Sequence, residues 1–402
     1  MIQDIGVVMR KSIRLSFVLV LLLAACSTTR ESTAQETAVK QWNQTRSAVL
    51  VGLAADQYQN ANFEKSRSTI DQAIRLAPDN AAARLLSAKL YIEDGSLEAA
   101  ERELVLASRD DSTAAEADYL SGVVYQRWQQ PQRALECYQH ACDKSPAELA
   151  YVMAKGEMLV AMGRHDEALS MLQAKVAYFE HSGEIRDEVG LLLVQDGRYP
   201  EAIEMFRRAE ILSPDDLTIR EHLAMALFQA RQFTESASLL SDLLASGKCD
   251  HRPDLLITLG ECQLQTAKPG EAVQSFQLAS QAMPESVGVW LGLARAELEL
   301  NNLKQAELAL RQCLTLDNPG SQTYLLMGYV TLRQNRLLDA YAFFVRASQL
   351  DQNDTVAICM VGLTLDRLGR SKDAATCYQR ALKLNPGDGM ASQLLAGLDL
   401  HE

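Results

Sequence analysis

Eight cysteines and six histidines are the residues of this chain best suited to covalent or metal chemistry, and their spacing leaves little of it available. The histidines, His140, His165, His181, His222, His251 and His401, stand singly, with no second histidine at ligand spacing. Cys249-Asp250-His251 is the one local cluster of metal-binding types, and it reads as a polar loop insertion. No phosphate-cradling glycine loop, dinucleotide fingerprint or G-x-S-x-G elbow is present. The expectation is a binding protein and not an enzyme, with no cofactor and no metal.

Cys26 is the exception. It ends Leu23-Ala24-Ala25-Cys26, behind the apolar run 15–23 and the basic Arg10, Lys11 and Arg14. That run is too short for a bilayer span, which takes about 20 residues. A basic flank, a short apolar core and small residues before a cut describe a secretory signal. The segment resembles a bacterial lipoprotein signal, against the alternative of an ordinary secretory signal with an accidental cysteine. The resemblance implies cleavage before Cys26, acylation of its thiol (palmitate among the chains), and a place in the cell envelope, lipid-anchored. Ser27 in place of Asp favours the outer membrane, facing the periplasm. Initiation is expected at Met9, which opens a compact basic segment. Residues 26–46 read as the lipidated cysteine and a polar tether with a coil reach of about 25 Å. Trp42 is placed to pack on the first structured segment beyond that tether.

Cleavage takes Arg10, Lys11, Arg14 and Asp4 from 39 basic and 52 acidic residues, leaving 36 and 51, a net of −15. So acidic a surface excludes nucleic acid, whose phosphates need cations. Seven cysteines would remain: Cys137, Cys142, Cys249, Cys262, Cys313, Cys359 and Cys377. Their odd number and lack of a framework spacing make them small buried hydrophobes.

From residue 47 the chain repeats every 34 residues. Ser66, Ala100, Ala134, Ala168, Ala202, Ser236, Ala272, Ala306, Ala340 and Ala374 form a column of small residues. Twelve residues before each stands Ala54, Ala88, Gly122, Gly156, Gly190, Ala224, Gly260, Ala294, Gly328 or Gly362. Four residues after each stands Ile70, Leu104, Tyr138, Leu172, Phe206, Leu240, Phe276, Leu310, Phe344 or Tyr378. Helical spacing of small and large residues predicts hairpins of two helices, closest where the side chains are smallest. Pro78, Pro146, Pro214, Pro284 and Pro386 stop the second helices. Gly95, Gly163, Gly197 and Gly369 turn the chain inside the hairpins.

These columns resemble the tetratricopeptide repeat. The resemblance implies an all-α, right-handed α-solenoid of ten hairpins: 47–80, 81–114, 115–148, 149–182, 183–216, 217–252, 253–286, 287–320, 321–354 and 355–388. Residues 389–402 would be a capping half-repeat, and residues 1–25 the signal. The long unit carries two extra residues near 247–252. Lys175 and Leu243 depart from the pattern, so looser packing is expected in 149–182 and 217–252.

In that family the first helices line a concave peptide groove. Carried onto this chain, its floor is Met153, Glu157, Glu184, Asp187, Glu188, Leu191, Glu221, Met225, Phe228, Asp254, Ile257, Glu261 and Leu264, with acids and apolar residues and no cation. The expected ligand is a peptide with basic and apolar side chains. Lys89 and Arg127 only approach the arrangement with which some members grip a C-terminal carboxylate. The implied role is a membrane-anchored scaffold for assembling or stabilising an envelope complex of the pilus, secretion or exopolysaccharide kind. The alternative is an adaptor that delivers clients to a periplasmic protease or peptidoglycan enzyme.

Overall fold

The structure is a computed structural model, and it describes residues 35–246, 252–316 and 319–399. Cys26, the signal before it and Cys249-Asp250-His251 lie outside the described residues. All regular structure among those described is helical. The chain divides into two compact units, Met1–Glu180 and His181–Glu402.

The first unit holds α1 (35–59), α2 (Phe63–Leu76), α3 (Ala81–Glu93), α4 (Leu97–Ala107), α5 (Asp111–Arg127), α6 (Pro131–Lys144), α7 (Leu149–Ala161) and α8 (His165–Val176). The second holds α9 (Gly183–Gln195), α10 (Tyr199–Leu212), α11 (Leu217–Gln229), α12 (Phe233–Ala245), α13 (Pro253–Gln265), α14 (Pro269–Ala282), α15 (Val287–Glu299), α16 (Leu303–Thr315), α17 (Ser321–Arg333), α18 (Leu337–Leu350), α19 (Thr355–Arg367), α20 (Ser371–Leu384) and α21 (Gly389–Asp399). Within each unit consecutive helices pair as hairpins, and each hairpin's second helix also packs on the next first helix.

The start and stop chemistry is local. Asn80, Asp110, Asp216 and Asp354 cap α3, α5, α11 and α19, each side chain accepting a first-turn N–H. Pro78, Pro146, Pro214, Pro284 and Pro386 each stand two residues beyond the last helical residue, where the helix has already ended. The turn inside every hairpin passes through one left-handed residue. It is glycine at Gly95, Gly163, Gly197 and Gly369, with φ of 71–77°, but Ala61, Gln129, Arg231, Ala267, Asn301 and Asn335 take the same conformation at 56–61°. The turn is dictated by the hairpin and not by its residue, so glycine marked only some of the ten.

All ten members of the small column are fully buried. The two serines keep their place by donating to the facing column: Ser66 Oγ to the Ala54 carbonyl at 2.7 Å and Ser236 Oγ to the Ala224 carbonyl at 2.8 Å. The other two columns interlock more specifically than expected. The five aromatic members of the large column, Tyr138, Phe206, Phe276, Phe344 and Tyr378, each lie against a glycine: Gly122, Gly190, Gly260, Gly328 and Gly362. A Cβ on those glycines would come within 2.4–2.8 Å of the ring. Ile70, Leu104, Leu240 and Leu310 stand in hairpins whose corresponding residue is Ala54, Ala88, Ala224 or Ala294. The close approach is of a ring to a backbone, and every aromatic partner has a glycine; the column's sixth glycine, Gly156, faces Leu172.

One expectation needs correcting. Residues 35–46, read as part of a coil tether, are helix continuous with α1, and Trp42 on it is exposed rather than packed on the first hairpin. Residues 35–46 carry no helix breaker, so α1 runs on past the end of its partner α2. The looser packing expected in 149–182 and 217–252 is present: among the hairpins from α3 to α20, α7 with α8 and α11 with α12 pack least extensively, although α12 runs unbroken to Ala245 with Leu243 fully buried. Cys262, Cys313 and Cys359 are buried, and Cys137, Cys142 and Cys377 half-buried.

Candidate functional site

The first helices of the second unit place the acidic candidates one hairpin apart, and the neighbouring hairpin supplies a cation to most of them. On α9, Asp187 accepts from His222 Nδ1 on α11, at 2.8 Å to one oxygen and 3.1 Å to the other. That bond holds the imidazole pKa above its ordinary value, against the opposing effect of burial. The His222 ring also lies 5.8 Å from that of Phe206, a member of the large column.

Glu221 on α11 faces Arg252, just ahead of α13. The guanidinium donates from Nη1 and Nη2 to the two carboxylate oxygens, each at 2.9 Å. The same guanidinium binds Asp254 through Nε at 3.0 Å and Nη2 at 2.8 Å, holding that carboxyl below its usual range. Bidentate pairing of this kind fixes angle as well as distance. Glu261 on α13 takes both its bonds from Arg295 Nη1 on α15, at 3.0 Å each.

The cation-free acidic floor is thereby corrected. Asp187, Glu221, Asp254 and Glu261 are already paired, because His222 stands on the next first helix, Arg252 lies in the connection between hairpins and Arg295 stands one hairpin beyond the four that carry the floor. Glu184 is exposed at the start of α9, and Glu188 is half-buried with a partner of its own.

The apolar members separate into two groups. Met225 is 38% exposed, and Leu191 and Phe228 are half-buried, with the Phe228 ring edge-on to Phe233 at 5.7 Å. Ile257 packs against the core cluster that contains Leu264, which is itself buried among Ala272, Phe276 and Leu293. Leu264 is therefore a core residue and not part of a binding surface. In the first unit Met153 is likewise buried, while Glu157 is exposed. Lys89 there pairs with Glu116 at 2.5 Å and Arg127 donates to the Ile92 carbonyl at 2.6 Å, so neither is held for a carboxylate ligand.

Glu307 on α16 was not anticipated. It accepts from Arg311, Gln334 and Arg336 at 2.8, 2.9 and 3.1 Å, and these bonds pull its pKa down to about 2. The i,i+4 pairing with Arg311 is visible in the sequence; the convergence from the next hairpin is not. Among the described residues no three His, Cys, Asp or Glu side chains stand together as metal ligands, and no helix is long and apolar enough to cross a membrane.

Comparison with known proteins bears on the repeats. One tetratricopeptide-repeat family model matches residues 51–116 and 153–216, and a second matches 193–252. The model of the C-terminal domain of cilia and flagella-associated protein 70 matches 242–401. Anaphase-promoting complex subunit 3 of Schizosaccharomyces pombe is 21% identical over 249 residues, 62% of this chain, which spans only 37% of that protein. Among solved structures, a tetratricopeptide repeat protein from Parabacteroides merdae is 16% identical, with a TM-score of 0.44 over 63% of this chain and 99% of the other. The APC/C hetero-tetramer Cut9–Hcn1 is 13% identical, with a TM-score of 0.45 over 88% of this chain and 96% of the other. The columns and the family models agree: residues 51–116 and 153–252 match tetratricopeptide repeats, and the same columns continue through the remaining hairpins, the helical-hairpin architecture of a protein-interaction scaffold.

Proposed function

We propose that the chain is a non-catalytic interaction scaffold held at a bacterial envelope membrane by acyl chains on Cys26, where it assembles or stabilises a multiprotein machine. Leu23-Ala24-Ala25-Cys26 behind a short apolar run is the observation that carries the location. One acyl chain anchors only marginally, so the three that the lipoprotein resemblance implies would make the attachment effectively permanent. The outer membrane, with the repeats on the periplasmic side, is the reading that Ser27 favours. The binding face is that of α9, α11 and α13, where exposed Met225 and half-buried Leu191 and Phe228 lie among ion pairs. It suits a segment with apolar side chains; a lysine or arginine on that segment must compete with Arg252 and Arg295 for their carboxylates. Delivery of clients to a periplasmic protease or peptidoglycan enzyme would use the same face.

The location is tested in a bacterial host. Intact mass should show loss of residues 1–25 and a gain of acyl chains, and Cys26→Ser should move the protein from the membrane to the soluble fraction. Retention of residues 1–25 with no acyl gain would overturn the anchored reading and leave the repeats as they are.

A further inference from the structure

Among the described residues of the first unit, hairpin stacking leaves one first-helix face uncovered. Each later first helix there has the second helix of the preceding hairpin against it: α2 on α3, α4 on α5, α6 on α7. The consequence is read from equivalent positions. Val49 on α1 is 70% exposed. The residues that occupy its place in other hairpins are buried: Ala83, Ala117 and Tyr151 in this unit, Leu255, Val289 and Ala357 in the other. Leu53, one turn on, is 49% exposed, against 6% for Leu259, 7% for Leu293 and 2% for Met327 at the same place.

The uncovered face is a groove and not a bare helix. Trp42, Val49, Leu50 and Leu76 line a trough of about 480 Å³ between α1 and α2, and Arg46 and Arg75 line it with them. Trp42 is 63% exposed. No carboxylate lines the trough, and both arginines are exposed and form no ion pair among the described residues. On a chain of net charge −13 this is a local basic site beside an apolar stripe.

We propose that this trough, with the exposed Leu53 beside it, is a docking site for one amphipathic helix of a partner protein, with an apolar stripe for Trp42, Val49 and Leu53 and carboxylates at its edges for Arg46 and Arg75. A helix is the shape that covers this face in every later hairpin of the unit, and helix-in-groove binding is read through such a stripe. Charge selects the occupant. Symmetric pairing with a second copy would bring another Arg46 and Arg75 against a trough that no carboxylate lines, where like charges cost affinity. The site is independent of the α9–α13 face and does not require Cys26 to be acylated.

The test uses the full chain and a fluorescent synthetic helix with a leucine stripe bordered by glutamates, alongside the same peptide with lysines in place of the glutamates. Anisotropy should show the acidic peptide binding, and Val49→Asp should abolish it. Arg46→Glu with Arg75→Glu should weaken it by about tenfold or more while conferring binding of the lysine peptide. The charge swap guards against misfolding, because a gain of binding needs a folded site. Four results would overturn the proposal: no binding of the acidic peptide; equal binding of both peptides to the wild-type chain; concentration-dependent dimerisation lost in Val49→Asp; or binding of the chain to phosphatidylglycerol vesicles, through Trp42, in preference to the peptide.

Discussion

Replacing Gly190 by alanine separates the ring-against-backbone account of these hairpins from a general demand for small residues. The added Cβ would meet Phe206 Cε1 at 2.5 Å and Cζ at 2.7 Å, and that ring is fully buried on α10. Overpacking of a filled core costs typically about 1–3 kcal/mol. Alanine in place of glycine inside a helix returns about 1 kcal/mol. Gly190→Ala should therefore destabilise, by about 1 kcal/mol net. Gly156 is the internal control. It is the one glycine of the column that faces an aliphatic partner, with Leu172 Cδ1 3.1 Å from the added Cβ. That flexible methyl needs to yield only a few tenths of an ångström, so Gly156→Ala should stabilise by about 0.5–1 kcal/mol through helix propensity. The pairing in the other hairpins supplies a rescue: Leu104, Leu240 and Leu310 go with alanines. Gly190→Ala combined with Phe206→Leu should cost less than the two changes summed, by about 1 kcal/mol. Urea unfolding gives the ordering. Hydrogen exchange of the α9 and α10 amides gives the local value, because a repeat array need not unfold as a unit. An additive double variant, or Gly190→Ala no less stable than Gly156→Ala, would refute the reasoning.

Three other perturbations have expected outcomes. Ala267 holds φ at 56° in its hairpin turn, so Ala267→Gly should raise the urea midpoint by an amount equivalent to about 1 kcal/mol, while the same change in a helix should lower it. His222 has its pKa raised by Asp187, so that pair's stabilisation is full below the ordinary imidazole value of 6.5 and is lost as pH rises through the raised folded value. Thermal unfolding should show the second unit losing stability over that range, and Asp187→Asn should remove most of the dependence. Burial pushes the Cys137, Cys313 and Cys359 thiols up to about 11, so mass spectrometry should find them alkylated far more slowly by iodoacetamide in the native chain than in urea.

The columns were legible because each records a contact that recurs at fixed spacing. A small residue at Ala100 or Ala340 and a large one four places later leave the same mark in every hairpin. Left-handed turns were legible only where glycine occupied them; Arg231 and Ala267 accept the strain that their hairpins impose, and nothing in their identity announces it. The extension of α1 was missed because 35–46 has few apolar residues, and an overhanging helix needs no buried face to remain helical. The acidic floor was half legible. Fixed unit positions point to Glu221 and Glu261 but not to Arg252, which belongs to a connection, or to Arg295, which reaches back from the next hairpin. Leu264 occupies an equivalent position and proved to be core, because position in a repeat does not say how far the next hairpin closes over it.

Phe276 carries a consequence for how such a chain can lengthen or shorten. Its ring lies against Gly260 of its own hairpin and also against Gly292 of the next, where an added Cβ would come within 2.4 Å. The rings of Tyr138, Phe206, Phe344 and Tyr378 meet a glycine only within their own hairpin. Excision or duplication in steps of one repeat would leave each of these rings with its own glycine, although Phe206 also lies beside His222 of the next hairpin. A recombination joint between α14 and α15 is different. It hands Phe276 a neighbour selected beside another side chain, so these two hairpins are expected to be inherited, grafted or deleted together.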